Sequence, residues 1–346
     1  MNKICISIVK LNDTWRHTIL TKYIDINQIK NNILNARQTC CANVMAVVKA
    51  NCYSNGLYVA SCIEEYVCGF AVANVFEGIH LRKIGIAKPI LSLSFKKDEF
   101  DIAKKYNLAV SLSLPENYVK GLKYHIAIDS GMNRSGVKGK YNLLSLLNKM
   151  DNNDIEGIYS HIYSPNAILI ERQVELFDEA ANIARLFNRE IVTHIFATNY
   201  KDSTITYKTD MIRLGIGLYE KAVGVSSEIL QIKDLSKGES LGYDGEFIAA
   251  TPMQIALCEG GYFDGIIRRF AGQKMSFNTD FCKVLGKISM DSHIIDVTDL
   301  NAKIGDKVVV YDTEDLSFEK RSEDMKISKY ELMTMLKGRF NYVYYN

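Results

Sequence analysis

The sequence predicts an α/β chain, with an N-terminal (β/α)8 TIM-type barrel followed by a mainly β C-terminal domain. Three observations predict it. From about Asn43 to Glu220, short β-rich runs alternate with amphipathic helical runs, and eight such runs can be counted. After Glu220 helical periodicity gives way to strand-like runs divided by glycine-containing turns. The length, 346 residues, suits two domains or one large barrel with an appendage.

The eight apolar runs are Val44–Ala50, Gly69–Ala73, Ile90–Ser94, Ala109–Leu112, His125–Asp129, Gly157–His161, Val192–Ala197 and Arg213–Leu218. Helical patterns lie between them, such as Phe76–Ile84, Asp98–Tyr106 and Ala167–Phe187. In the last, Leu169, Val174, Phe177, Ala181 and Ile183 recur near helical spacing. In the second half, Phe247–Ala250, Val284–Ile288, Ile294–Val297 and Lys307–Tyr311 read as strands, and Ser328–Leu336 as one short helix. The apolar run Ile4–Val9 is shorter than a signal-peptide core and far short of a membrane span, so it reads as a strand. The expected boundaries are 16–222 for the barrel and 223–346 for the β domain, joined by a strand within 1–15, with a linker near Lys221–Val225.

Composition narrows the class. The formal net charge of +2 is too balanced to point to nucleic acid or a membrane surface as partner. The 47% hydrophobic and 24% charged content is that of an ordinary globular protein. Eight cysteines occur without any C-x-x-C pair, which fits reduced thiols in a cytoplasm and offers no metal-ligand spacing.

In a barrel of this kind, functional residues sit at the C-terminal ends of the strands. Lys49 lies there on the first strand, in Ala46-Val47-Val48-Lys49-Ala50-Asn51. Partial desolvation lowers a lysine's pKa and leaves an amine able to form a Schiff base. The bland alternative is a lysine that snorkels out of a strand end. Thr198 after the seventh strand and Gly215 at the eighth suit a phosphate, through a hydroxyl and glycine-exposed N–H groups. A glycine required only for packing is the alternative there. Asp129-Ser130-Gly131-Met132-Asn133-Arg134 brings a carboxylate and a guanidinium to the rim after strand five. Arginine suits a substrate carboxylate, and a surface ion pair is the competing reading. His161 and His194, on strands six and seven, read individually as satisfied packing residues. Gly242-Tyr243-Asp244-Gly245, Gly260-Gly261-Tyr262-Phe263-Asp264-Gly265 and Lys287-Ile288-Ser289-Met290-Asp291 are turn-rich and individually weak signals.

Together these segments resemble the alanine racemase family, in order along nearly the whole chain. Val47-Val48-Lys49-Ala50-Asn51-Cys52-Tyr53 is similar to the cofactor-lysine motif, and Asp129–Val137 to the barrel-rim motif. Arg213-Leu214-Gly215-Ile216-Gly217-Leu218-Tyr219 and Gly286-Lys287-Ile288-Ser289-Met290-Asp291 match two more, and Tyr243 and Tyr262 keep the family spacing. Five ordered motifs make a specific signal where any one would be weak.

The resemblance implies a racemase interconverting L- and D-alanine, supplying D-alanine for peptidoglycan. It implies Lys49 holding pyridoxal 5'-phosphate as an aldimine, with Tyr53, Thr198, Gly215 and Ile216 on the phosphate and Arg213 facing the ring nitrogen. Because arginine only donates, that nitrogen would stay unprotonated and the cofactor would be a weaker electron sink. Two bases, Lys49 and Tyr243 of the partner subunit, would work opposite faces of the α-carbon. Tyrosine ordinarily ionises near pH ~10, and His161, linked to Arg213, would tune it. Arg134 and the Met290 N–H would hold the small amino-acid substrate, and Tyr262 would line the entrance. A cytoplasmic homodimer with shared active sites follows, with no metal.

Three positions depart from the family pattern. Ala127 stands where many relatives carry a carbamate-modified lysine that clamps the arginine corresponding to Arg134. Ala197-Thr198 stands where an asparagine often precedes a phosphate-binding serine. With Tyr330-Glu331 and Arg339 as anchors, Gly338 falls where many alanine racemases have a tyrosine beside the phosphate. The expectation is an enlarged site admitting serine or a larger amino acid; a lyase on the same fold and cofactor is the other alternative.

Overall fold

The computed structural model describes residues 20–198 and 207–346. The expected strand Ile4–Val9 lies outside the described residues. The chain forms two compact units. Among the described residues, one takes Ile29–Cys52 and Leu57–Leu218; the other takes those up to Gln28, Tyr53–Gly56 and Tyr219–Asn346. Strand β1, Thr21–Asp25, falls in the β unit.

The first unit is a parallel eight-stranded barrel. Its strands are β2 Asn43–Val47, β3 Gly69–Val72, β4 Ile90–Ser92, β5 Ala109–Leu112, β6 Tyr124–Ala127, β7 Ile155–Tyr159, β8 Val192–His194 and β9 Met211–Leu214. Each hydrogen-bonds its sequence neighbour from β2 to β8, and β9 returns to pair with β2. A parallel bridge between Ala197, just past β8, and Arg213 of β9 closes the ring. All eight strands overlap the apolar runs of the sequence. Their buried residues on both faces explain the continuous, non-alternating pattern, as expected of parallel strands under helices.

Most strands end a few residues before the sequence reading, and at two of them a helical turn takes over. The first ends at Val47, not Ala50, because the chain turns into a short helix at Lys49–Ser54. The last ends at Leu214, and Ile216–Tyr219 is a 3-10 turn. Helix Ala167–Arg185 is capped by the Asn166 side chain, which accepts from Leu169 N, and its buried face carries Val174, Phe177, Ala181 and Ile183. The barrel interior is not wholly apolar. Ser92, Ser111, His125, His194 and Arg213 are all buried on or beside its strands.

The second unit is built on β10, Val223–Leu235, which occupies the expected linker from Val223 onward. After β10 come β11 Ser240–Leu241, β12 Phe247–Ile248, β13 Met253–Glu259, β14 Lys274–Phe277, β15 Asp280–Leu285, β16 Ser292–Asp296, β17 Lys307–Tyr311 and β18 Asn341–Tyr345. Strand β10 pairs with β1 and β17 along its first half and with β13 along its second. Register shifts at Val225/Ser226 and Ile229/Gln231 mark the bends that let one strand serve several partners. The order β13-β16-β15-β14-β17-β10 closes through the β13–β10 pairing. Strand β1 lies parallel to β18.

Tyr53–Gly56 belongs to this unit for a visible reason. The buried Lys22 amine donates to the carbonyls of Ser54 at 2.7 Å and Leu336 at 2.6 Å. Ser54 Oγ donates to Thr334 O at 2.9 Å, and Tyr344 OH to Asn55 O at 2.9 Å. Among the described residues no helix is long and apolar enough to cross a membrane.

Phe177, 0% exposed, anchors the long helix to the barrel. Phe177→Ala should cost about 3–5 kcal/mol through lost burial and the cavity left behind. Denaturant titration checks this; an unchanged midpoint would refute the packing account.

Candidate active site

Lys49 follows β2 at the end where the strands of the barrel finish. The five residues after it, Ala50 to Ser54, have φ between 52° and 66°, one turn of left-handed helix. That conformation costs roughly 1–2 kcal/mol for each residue with a Cβ, so something must hold it. Cys52 N donates to Val48 O at 3.0 Å. Glu77, in the first turn of helix Val75–Lys83, accepts from Ala50 N at 2.9 Å and from Ala73 N at 2.8 Å. One carboxylate thus joins the loops after β2 and β3. The turn makes the chain leave the strand abruptly at Lys49.

The Lys49 amine is half-buried and lies among cations. Desolvation lowers its pKa from the ordinary lysine value, and the charges of Arg134 and Arg213 lower it further, while Glu77 opposes them. Arg213 is 4% exposed. Its guanidinium donates to His194 Nδ1 at 2.7 Å, His194 O at 2.8 Å and Ser160 O at 2.6 Å, and reaches His161 Nδ1 at 3.5 Å. It also lies 5.0 Å from the Tyr159 ring centroid. Its close partners are imidazoles, carbonyls and an aromatic face. Burial lowers its pKa to about 10, which leaves it cationic at neutral pH. Desolvation, then Arg213, Arg134 and Lys49, push His161 down to about 4, so it is neutral at physiological pH. An arginine N–H must meet a lone pair. Both imidazoles therefore accept at Nδ1 and carry their proton on Nε2.

Thr198 follows β8, and its Oγ1 accepts from Gly215 N at 3.4 Å and Gly217 N at 3.2 Å. A Cβ on Gly217 would sit 2.6 Å from Thr198 Cγ2, so the glycine is required for this approach. Ile216 opens the adjacent 3-10 turn and is buried. At the rim, Asp129 does not serve Arg134: its Oδ1 accepts from Gly131 N at 3.0 Å and Asn133 N at 2.9 Å, shaping its own loop. Arg134 is exposed. Ala127 is buried at the end of β6. Lys49, Arg134, His161 and Arg213 are therefore brought within electrostatic reach of one another, with Thr198, Gly215 and Ile216 on the neighbouring loops.

In the β unit, Tyr243 is 62% exposed and opens a 3-10 turn whose next residue, Asp244, has φ 63°. Lys287 pairs with Asp244 at 2.6 Å and Glu246 at 2.8 Å, bracing the turn just after Tyr243. Tyr262 N donates to Ser289 O at 3.0 Å, and Phe263 N to Met290 O at 3.2 Å, so the Tyr262 and Met290 segments run side by side. Gly261 permits this, because a Cβ there would meet both carbonyl oxygens. Tyr53 is buried; burial raises its phenol pKa, and Tyr330 raises it further, which places the two phenols close together.

The expectation for Gly338 is corrected here. A Cβ at Gly338 would lie 2.4 Å from Asp264 Oδ1 and 2.5 Å from Asp264 Cα. The glycine lets Asp264, fully buried, receive Arg339, whose Nη2 lies 2.7 Å from Oδ2. Tyr53 itself packs on Tyr219, with ring centroids 5.6 Å apart, and lies within electrostatic reach of Tyr330. Sequence reading also passed over Glu77, Gly217 and the His194 contact with Arg213. Asn74-x-x-Glu77 is a legible capping-box spacing, but nothing local says that the glutamate also reaches the Lys49 turn.

Family models for the alanine racemase N-terminal domain and C-terminal domain match residues 24–222 and 222–344. The chain belongs to the alanine racemase family. It is 28% identical to an alanine racemase of Lactobacillus acidophilus over 87% of this chain and 90% of that one. It is 27% identical to one of Aquifex aeolicus, over 92% and 97%. Its fold is that of the alanine racemase of Clostridium difficile 630, with a TM-score of 0.87, 23% identity and coverage of 95% and 96%. It is also that of the Bartonella henselae alanine racemase with covalently bound pyridoxal phosphate, with a TM-score of 0.83, 23% identity and coverage of 95% and 99%. The Bacillus anthracis alanine racemase with bound L-Ala-P gives a TM-score of 0.85 at 23% identity, over 92% and 93%. The family depends on pyridoxal phosphate.

Two outcomes follow for this family member. Labelling of Lys49 by a small aldehyde, followed by mass spectrometry across pH, should show a midpoint below the ordinary lysine value of 10.5; a midpoint at or above it refutes the desolvated cationic setting. Gly338→Tyr should lower thermal stability far more than a surface substitution, through the collision with Asp264. A variant of normal stability would restore the expectation of a vacant site.

Proposed function

We propose that this chain is a pyridoxal-phosphate-dependent alanine racemase, working as a cytoplasmic homodimer that supplies D-alanine for peptidoglycan. The observation that carries the reading is Arg213: a buried cation whose close partners are imidazoles, carbonyls and an aromatic ring, beside a desolvated lysine. This setting fits the cofactor. A lysine of lowered pKa is the group that attaches it, the Thr198–Gly217 cradle suits its phosphate, and the surplus of cations suits its negative charge. When bound, pyridoxal phosphate supplies the electron sink that makes an amino acid's α-hydrogen removable as a proton.

Each residue then has a role. Lys49 holds the cofactor and serves as base on one face. Thr198, Gly215 and Ile216 hold the phosphate, and the family resemblance adds Tyr53. Arg213 donates to the ring nitrogen and supplies no acceptor, which favours return of the proton over transamination. Arg134 and the Met290 N–H hold the substrate carboxylate, and Tyr262 lines the entrance. A single base tends to return the proton to the face it left, so inversion needs a second. That base is Tyr243 of a second copy. His161, with its proton on Nε2, donates to the tyrosine oxygen and stabilises the form that takes up a proton.

Chiral separation after incubating the cofactor-loaded protein with a panel of L-amino acids in heavy water tests the reading. Inversion of alanine with deuterium at the α-carbon is expected. No inversion and no exchange would overturn it, and consumption to a new product would place the protein among lyases. Lys49→Ala should abolish the visible absorbance of the lysine-bound cofactor; an unchanged band would remove Lys49 from its role. Tyr243→Phe should slow one direction of exchange more than the other, whereas equal loss in both would sink the two-base assignment.

A further inference from the structure

The contact between Arg213 and His194 is the upper end of a longer chain of groups inside the barrel. His194 Nε2 lies 2.7 Å from His125 Nδ1. His125 Nε2 faces Glu156 Oε2 at 3.6 Å, longer than a hydrogen bond but within electrostatic reach. His194 is 0% and His125 3% exposed, whereas the Glu156 side chain is 43% exposed. Glu156 lines a cavity of about 500 Å³ at the end where the barrel strands begin, the face opposite Lys49. A line of polar groups therefore crosses the barrel from the rim to the floor.

Two features of the backbone make room for it. Tyr124 pairs with Ile155 but His125 with Gly157, so Glu156 is the extra residue of a β-bulge on β7. A bulge re-aims the side chain it carries. Gly157 supplies the space for the imidazole: a Cβ there would lie 2.4 Å from His125 Nδ1 and 2.7 Å from its Cε1. Gly157 does not have a positive φ, so the glycine answers to the ring and not to the backbone. Tyr159 steadies the middle of the line. Its ring stacks on His194 at 5.0 Å and 10°, and its hydroxyl shares a hydrogen bond with Ser111 at 2.7 Å.

The direction of every hydrogen bond follows from the arginine. Arg213 can only donate, so His194 accepts at Nδ1 and is protonated at Nε2. His194 then donates to His125 Nδ1, which places the His125 proton on Nε2, toward Glu156. A second proton on His125 would turn its Nδ1 into a donor. His194 would have to accept at Nε2, move its own proton to Nδ1, and present that proton to Arg213. The Arg213 bond and a doubly protonated His125 therefore exclude each other. The relay places a guanidinium at the rim, a carboxyl group at the floor and two aligned imidazoles between them.

We propose that His125 and Glu156 are positioning residues for the reaction at the rim: from the barrel floor they hold His194 as an acceptor and so fix the orientation and field of Arg213. No proton needs to travel the line; it works by keeping each bond pointed one way. This inference rests on the reading that Arg213 faces the cofactor ring. The charged and titratable groups around the line are few. Glu156 faces His125 and Lys123, with Arg82, Lys104 and Asp154 lining the same cavity. His125 holds the Glu156 carboxyl below the usual carboxylate range. At the rim, Arg213 faces Tyr159 and His161, and the charges of Arg134 and Lys49 stand nearby.

The test uses the cofactor-loaded, 15N-labelled protein and two variants, Glu156→Gln and Gly157→Ala. Imidazole nitrogen correlation spectra should show His125 and His194 both protonated on Nε2 in the parent. Glu156→Gln should mix the His125 tautomers, and Gly157→Ala, by displacing the ring, should release His194 as well. The pH midpoint of the cofactor's visible band should fall by about half a unit in Glu156→Gln, since removing a negative charge makes the field at the rim more positive. The rate of racemisation should fall with little change in KM. An Nδ1-protonated His125 in the parent, or a Glu156→Gln spectrum and band midpoint identical to the parent's, overturns the proposal. Glu156 is substantially exposed, so its variant keeps the test decisive if Gly157→Ala folds poorly. Absence of racemisation in a parent that shows the visible band defeats the functional reading instead, and the tautomer spectra still decide the relay.

Discussion

A guanidinium buried with no carboxylate partner among the described residues governs the arrangement at the top of the barrel. Moving a charge out of water is expensive unless hydrogen bonds replace the lost hydration. Arg213 obtains them from two imidazoles and the carbonyls of Ser160 and His194, with the Tyr159 ring against its face. Each of those partners is thereby constrained. The imidazoles must be neutral and must accept at Nδ1. His161 is kept neutral by burial and by the cations around it, and Lys49 is lowered by the same two causes. A carboxylate in place of the imidazoles would have neutralised Arg213 and removed much of that pressure on the lysine.

Lys49 itself is placed by a backbone conformation that β-carbon sterics disfavour. Five left-handed residues in sequence persist only where the surroundings over-determine them. Glu77 does so at the start of the turn, and Lys22 with the C-terminal segment does so at Ser54. The two clamps have opposite charge and different settings. Glu77 also offsets the cations that depress Lys49. Lys22 is fully buried against carbonyls and the rings of Phe340 and Tyr342, and desolvation lowers its pKa to about 7. The turn is thus held by groups scattered across the sequence, between residues 22 and 344.

This scatter explains what could be read from the sequence and what could not. Eight parallel strands were legible because each is a short apolar run, buried on both faces and bounded by turns. Lys307–Tyr311 was legible to the residue. The ends of the first and last barrel strands were not, since Lys49 to Ser54 and Ile216 to Tyr219 keep the composition of strand or loop while adopting helical turns. Strand β10 was missed as a unit because its bulges break alternation. Site residues carried by a contiguous motif were legible as candidates: Lys49, Arg134, Arg213 and Gly215. Residues that act through distant contacts were not. His194 reads alone as packing, and Glu156 reads alone as a surface charge, until a bulge and a glycine bring His125 between them. Gly338 misled for the converse reason: residue type at a motif position suggested a vacancy where the fold has a carboxylate.

The proposed two-base chemistry needs one proton acceptor of each kind, and the two lie in opposite settings. Lys49 is made a base by losing water and by neighbouring cations. Tyr243 stands exposed on a braced turn. A phenol becomes a useful base only beside a donor or a cation that favours its ionised form. The rim offers such a donor in the Nε2–H of His161, whose orientation Arg213 sets. Rigid presentation then matters more than burial for the tyrosine. Lys287 and the left-handed Asp244 hold the turn, and Gly261 locks the Tyr262 loop against Met290. Because the Arg213 cation sets the tautomer of His161 and depresses Lys49, both proposed bases answer to the same buried charge. A change that reorients Arg213 should therefore disturb proton transfer on both faces, whereas removing either base disturbs one face first.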